Sequence, residues 1–267
     1  FVMNAELTHG SNRLVAVKDI SLRFGGVHAL TGVSFDISAH EVCSIIGPNG
    51  AGKSSMLNVL NGVYRPQEGT ITLNDVEKRR WSPQEVAKEG IARTFQNIAL
   101  FKGMTVLENI QTGRCLMNKA SVLSQAFRLA KSRREDNESR EKAEELLEFL
   151  EIQAIRKTSV GQLSYGLQKR VELGRALAAE PKCLLLDEPM AGMSPDEKQD
   201  MTRFILQAKE AYGMTVVLIE HDLGVVMDIS DHVIVLDYGR KIADGIPEEI
   251  KQDQKVIDAY VGKNTDI

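Results

Sequence analysis

Cysteine and aromatic residues are scarce in this chain: three cysteines, one tryptophan and 5% aromatics over 267 residues. Cys43, Cys115 and Cys183 are odd in number and far apart, and Cys43 and Cys183 lie inside apolar runs. That excludes a disulfide framework and predicts reduced, buried thiols in a cytosolic setting. The histidines, His9, His28, His40, His221 and His232, fall into no HExxH or CxxC-type spacing, so no structural zinc is expected. Long apolar runs are missing too. Stretches such as Val216 to Ile219 and Val233 to Leu236 have the length of buried strands, not of a membrane span, and a soluble protein is expected. Phe1 to Gly10 lack the charged start, apolar stretch and cleavage site of a secretory signal, and the absent initiator Met suggests a trimmed or partial amino terminus. Nor is there a surplus of positive charge. With 33 basic and 37 acidic side chains the net charge is −4, which argues against a dedicated nucleic-acid binder.

What is present has globular proportions, 43% hydrophobic and 26% charged, enough to bury a core in one or two domains. The opening third carries short apolar bursts at Leu14 to Leu22, Val33 to Ile37, Val42 to Ile46 and Thr70 to Leu73, broken by Gly25–Gly26 and by Asp36 to Glu41. This is strand-and-turn patterning, an antiparallel sheet edge feeding a buried strand. From Ala120 to Glu151 charges dominate and Gly and Pro are absent, while Ala143, Leu146, Leu147 and Leu150 recur at helical spacing. The basic group Lys131, Arg133 and Arg134 is followed at once by acids and reads as a solvated helix end. Strand and helix then alternate: Cys183 to Leu186, Asp196 to Tyr212, Thr215 to Ile219, Val233 to Leu236. Alternation of this kind predicts parallel pairing with right-handed crossovers, hence an α/β core interrupted by a helical insertion.

Gly47-Pro48-Asn49-Gly50-Ala51-Gly52-Lys53-Ser54 fits G-x-x-x-x-G-K-[ST], with Ser55 next. It follows the strand Val42 to Ile46 and opens a helix over Ser54 to Asn61, the context that phosphate capture requires. Backbone N–H groups converge on phosphates at the positive end of the helix dipole. Lys53 supplies a charge for the β and γ phosphates, and the Ser54 hydroxyl can ligate Mg²⁺. Ser55 stands where a dinucleotide fingerprint would need glycine. The second acidic signal is Leu184-Leu185-Leu186-Asp187-Glu188, an apolar strand closing on two carboxylates. Such a strand can deliver Asp187 to Mg²⁺ and Glu188 to the attacking water.

Between these motifs lies Leu163-Ser164-Tyr165-Gly166-Leu167-Gln168-Lys169-Arg170, and with it the chain resembles the ATP-binding subunits of ABC transporters. Leu163, Ser164 and Gly166 match the L-S-G-G-Q signature, Tyr165 replaces its first Gly, Leu167 stands at the Gln, and Gln168 follows one place later. The resemblance implies a P-loop NTPase fold: a mixed sheet with helices on both faces, an antiparallel β edge, and an inserted α-helical subdomain over about residues 97–180 of a single ATPase domain. It makes Gln96 the Q-loop glutamine that reaches Mg²⁺, His221 the switch histidine at the γ-phosphate, and Phe24 the aromatic that stacks on adenine. Gly192 to Asp196 falls at the D-loop, without its usual S-A-L-D. ATP and Mg²⁺ are the implied ligands. Two ATPase subunits, identical or related, would sandwich ATP, with Ser164 and Gly166 of one completing the site of the other. Transmembrane permease subunits, and indirectly a solute-binding protein, are the implied partners at the inner face of the cell membrane.

Arg93-Thr94-Phe95-Gln96, the run Leu100 to Val106, the Tyr-containing signature, Ile219-Glu220-His221-Asp222, the insertion after Gly113 and the ending Val256 to Gly262 resemble importers of branched-chain amino acids and their urea or amide relatives. Lipopolysaccharide-export ATPases are similar through the core, but a signature nearer L-S-G-G is expected there. ABC ATPases of DNA repair, chromosome structure or translation carry long coiled coils or paired ATPase domains, which this modest insertion does not provide.

Overall fold

The computed structural model describes residues 13–94, 99–115 and 128–261, the side chains of 115, 128–136 and 261 excepted. Gln96, Phe95 and the side chain of Cys115 therefore lie outside the described residues. The chain order is β1 (Arg13–Phe24), β2 (Val27–Ser38), β3 (Val42–Ile46), α1 (Lys53–Leu60), β4 (Glu68–Leu73), β5 (Val76–Lys78), α2 (Pro83–Lys88), β6 (Ile91–Arg93), α3 (Val106–Cys115), α4 (Arg128–Phe149), α5 (Tyr165–Leu177), β7 (Cys183–Asp187), α6 (Pro195–Tyr212), β8 (Thr215–Ile219), α7 (Leu223–Ile229), β9 (His232–Asp237), β10 (Arg240–Gly245), α8 (Pro247–Gln252) and α9 (Gln254–Val261).

Five strands of the central sheet are parallel and its last is antiparallel, in the order β10-β9-β3-β8-β7-β6. The antiparallel strands of the opening third form a separate four-stranded sheet, β2-β1-β4-β5, rather than an edge of the central one. Strands β3, β7 and β8 are buried at every position. Their period of two divides the interior. Cys43, Ile45, Cys183, Leu185, Val217 and Ile219 point into a core shared with α1 and the antiparallel sheet. Val42, Leu184, Leu186, Val216 and Leu218 point into a second core under the helices of the insertion and α6. The stripe Ala143, Leu146, Leu147 and Leu150 is fully buried in that second core, which is why a helix of such polar composition is held there. A third cluster, built from Ile46, Val226, Val233, Val235, Ile250 and Val256, seats the last helices on β9.

Candidate active site

The loop that leaves β3 is held in a shape only glycine permits. Gly47 has φ +148°, and a Cβ there would stand 2.0 Å from the carbonyl oxygen of Leu236 in β9. Gly52, left-handed at φ 103°, caps α1 and turns the amides of its first turn toward the loop. The loop is fastened from behind by a distant segment: Gly239 N–H donates to Ala51 at 3.0 Å, and Thr31 N–H donates to Gly239 at 2.8 Å. Lys53 starts α1. Its ammonium donates to the carbonyls of Gly47 (2.7 Å) and Pro48 (3.0 Å), and the residue is 6% exposed.

Opposite the loop, Glu188 adopts the left-handed φ of 50°, its N–H donating to Ile219 O at 2.9 Å. This turn points the carboxylate at His221, whose Nε2 lies 2.7 Å from Glu188 Oε1. A cavity of about 310 Å³ is lined by Asn49 to Ser55 together with Glu188, His221 and the β2 residues Val27 to Ala29. Motifs separated by more than a hundred residues thus face one space. Phe24 does not line it; at the end of β1 it pairs with Val27 of the cavity wall and is 46% exposed, edge-on to Tyr64 with ring centroids 5.0 Å apart.

Asp187 ends β7 almost fully buried. Its Oδ2 accepts from Arg93 Nη2 at 2.8 Å, and the same guanidinium donates through Nη1 to Asn58 of α1 at 2.6 Å. Asp187 Oδ1 is buried and has no hydrogen-bond partner among the described residues. Sequence reasoning did not assign roles to Arg93, Asn58 or Glu220. The Glu220 carboxylate is 4% exposed and accepts from the amides of Met190 (2.8 Å) and His221 (3.1 Å), bracing the turns that present Glu188 and His221. Burial pushes its pKa up, against the pull of those two amides. Asp222 caps α7 by accepting from Val225 N–H at 3.4 Å, and Lys198, donating at 2.8 Å, holds its carboxyl below the usual range. Glu220 directly follows the apolar strand β8, a place that marks an acid at a strand end but gives no sign of the distant amide it braces.

Ser164 and Gly166 do not line this cavity. Ser164 caps α5, accepting from Leu167 N–H at 3.4 Å, and Gly166 lies in the first turn against α6, where a Cβ would come within 2.1 Å of Glu197 Oε1. Gln168 turns back to donate to Leu163 O at 2.9 Å, while Tyr165 is exposed. A second cavity, about 590 Å³ and mostly apolar, runs between β6 and the α3–α5 pair, with Ile91, Ala99, Phe101, Met104 and Arg175 on its walls. No helix among the described residues is long and apolar enough to cross a membrane.

Against known proteins, the ABC transporter family profile matches residues 30–191, and that of the branched-chain amino acid ATP-binding cassette transporters matches residues 240–265. The high-affinity branched-chain amino acid transport ATP-binding protein BraF of Pseudomonas aeruginosa is 39% identical over 95% of this chain and 99% of its own. Among solved structures, a nucleotide-free ATP-binding cassette from an ABC transporter superposes with a TM-score of 0.81 at 36% identity, over 93% of this chain and 98% of the other. A dimeric ATP-binding cassette in a post-hydrolysis state, bound to ADP and Pi, gives a TM-score of 0.74 at 27% identity, over 88% of this chain and 99% of the other.

Proposed function

The chain belongs to the ATP-binding subunits of the ABC transporter family, and from that premise we propose that it is the ATPase of an importer energising uptake of branched-chain amino acids. The geometric observation that carries the ATPase reading is the convergence of Lys53, Ser54, Glu188 and His221 on one cavity. Cargo does not enter such a site. The substrate class rests on the similarity to BraF across nearly the whole chain and on the C-terminal match at residues 240–265.

In this reading the triphosphate lies along Gly47 to Ser55, held by loop amides at the start of α1. Lys53 exchanges its carbonyl contacts for the β and γ phosphates, a pairing of opposite charges in place of a charge–dipole contact. Phe24 stacks on adenine at the open side. Glu188 accepts a proton from the attacking water, and His221, 2.7 Å away, fixes that carboxylate and reaches toward the γ-phosphate. Ser54, Asp187 and Gln96 would hold Mg²⁺. The buried, unpartnered Oδ1 of Asp187 fits an oxygen-seeking cation, with Oδ2 anchored on Arg93. The charge neutralisation that Mg²⁺ supplies when bound serves the phosphate oxygens during transfer.

Ser164 and Gly166, remote from the cavity of their own chain, belong in this scheme to the site of a second ATPase subunit, so that ATP binding closes the pair and phosphate release opens it. The inserted helices α3, α4 and α5 are the arm that carries them. The apolar cavity beside it, with Phe101 and Met104 exposed at its rim, suits a permease helix at the inner membrane face, and a solute-binding protein would act through that permease. Co-purifying the chain with its membrane partners and measuring ATP-dependent uptake of labelled leucine, isoleucine and valine into vesicles tests the proposal. Uptake abolished by Lys53→Ala is expected. A complex that hydrolyses ATP, moves lipid and ignores amino acids would overturn import.

A further inference from the structure

The end of β3 remote from the phosphate loop carries a second cluster that the ATPase reading does not use. Glu41 immediately precedes β3, and Cys43 lies within it. His232 opens the parallel neighbour β9 in register with Cys43. One donor atom from each of these three side chains lies within 4.8 Å of the other two. Glu41 Oε1 is 3.2 Å from His232 Nδ1, and Asp244 of β10 takes the other ring nitrogen, Nε2, at 2.6 Å.

We propose that Glu41, Cys43 and His232 form a binding site for a borderline-soft divalent cation of the zinc class, with Asp244 orienting the histidine. Sulfur, imidazole nitrogen and a single carboxylate oxygen are the donor set of zinc rather than of magnesium or calcium, which seek oxygen alone. Tetrahedral zinc with bonds of about 2.0–2.1 Å to N and O separates two such ligand atoms by roughly 3.3 Å, close to the 3.2 Å between Glu41 and His232. The contact to Asp244 is the outer-shell arrangement that holds the proton on Nε2, so that Nδ1, once the ion displaces the proton it shares with Glu41, becomes the ligating nitrogen. Coordination takes Cys43 as thiolate and the imidazole as neutral, the Cys43 proton and the Nδ1 proton that faces Glu41 in the empty site both leaving to solvent, with Glu41 supplying one oxygen. A cavity of about 750 Å³, lined by His232, Asp244 and Lys241 among others, opens beside the histidine and gives water and the ion a way in. The ligands come from two strands 191 positions apart at their extremes, so spacing along the chain gives no sign of them. A bound ion would pin the start of β3 to β9 far from the nucleotide.

Cobalt titration of the metal-stripped, untagged full chain tests this, because tetrahedral cobalt shows visible d–d bands and a thiolate charge-transfer band in the near ultraviolet. Saturation at one cobalt per chain is expected, with displacement by zinc. The charge-transfer band should be lost in Cys43→Ala and His232→Gln and kept in Cys183→Ala. Asp244→Asn, which leaves all three ligands in place, should bind cobalt about 10–100-fold more weakly, and it serves as the decisive variant if Cys43→Ala does not fold. Absence of the band in folded protein at saturating cobalt, its survival in Cys43→Ala, or unchanged affinity in Asp244→Asn would each overturn the site. ATP turnover in His232→Gln reports separately on the nucleotide site, and its retention keeps this test independent of the ATPase proposal.

Discussion

Lys53 and Glu188 line one cavity, and in the proposed ATPase their substitutions should fail differently. Lys53→Ala removes the ammonium that the ATPase proposal sets against the β and γ phosphates, so nucleotide binding and hydrolysis should both be lost in a folded protein, read by fluorescent-nucleotide titration beside phosphate release. Phe24→Ala should instead raise the ATP concentration needed for half-maximal turnover by about 1 kcal/mol of binding, leaving kcat nearly unchanged, because stacking is lost equally in ground and transition states. An unaltered apparent affinity would return Phe24 to a purely structural contact with Tyr64. The residues legible in the sequence were those whose chemistry is written locally: a glycine loop between strand and helix, acids closing an apolar strand. Arg93, Asn58 and Glu220 were not legible in that way. Arg93 meets Asp187 across 94 positions, and Glu220 meets Met190 across 30, so only the folded sheet reveals the pairings.

At the level of elements, the guanidinium of Arg93 joins β6, β7 and α1 at a point where water is excluded, its side chain 6% exposed and that of Asp187 2%. Arg93→Ala leaves a buried carboxylate without its counter-charge and should cost about 3–5 kcal/mol of stability, measured by urea unfolding. Asp222→Ala removes the cap of α7 and should cost about 1 kcal/mol near neutrality. Because Lys198 depresses the folded pKa of Asp222, that contribution is present above the unfolded value near 3.8 and disappears as the pH falls through the folded value. Wild type and Asp222→Ala should therefore converge in stability toward acid pH. The strands Val42 to Ile46 and Thr215 to Ile219 were legible to the residue because each is a short, mostly apolar run that closes on a glycine turn or an acid. Helix α2 has only six residues, too few for periodicity, yet the capping box of Ser82 and Glu85 marks it. The antiparallel sheet was read as strands but not as a separate layer, since which sheet a strand joins depends on partners far along the chain.

For the whole molecule, Glu188→Gln should separate closure from hydrolysis. The amide cannot take a proton from water, so turnover should fall by roughly 10²–10⁴-fold while Lys53 and the loop still bind ATP. If a second copy supplies Ser164 and Gly166, light scattering should show this variant as a dimer with ATP and Mg²⁺ and a monomer without them. A variant that binds ATP and stays monomeric at all concentrations would point to a related, non-identical partner chain. Assembly of the fold itself runs on a schedule set by the same sheet. Strand β3, which carries the phosphate loop, has both its neighbours, β8 and β9, in the last quarter of the chain, and the loop is fastened by Gly239. During synthesis the glycine loop leaves the ribosome early, but it has no walls to hold its shape until nearly two hundred further residues follow it. Ribosome-bound chains arrested before Thr215 should not retain nucleotide, and ATP affinity becomes a marker that β8 and β9 have been made.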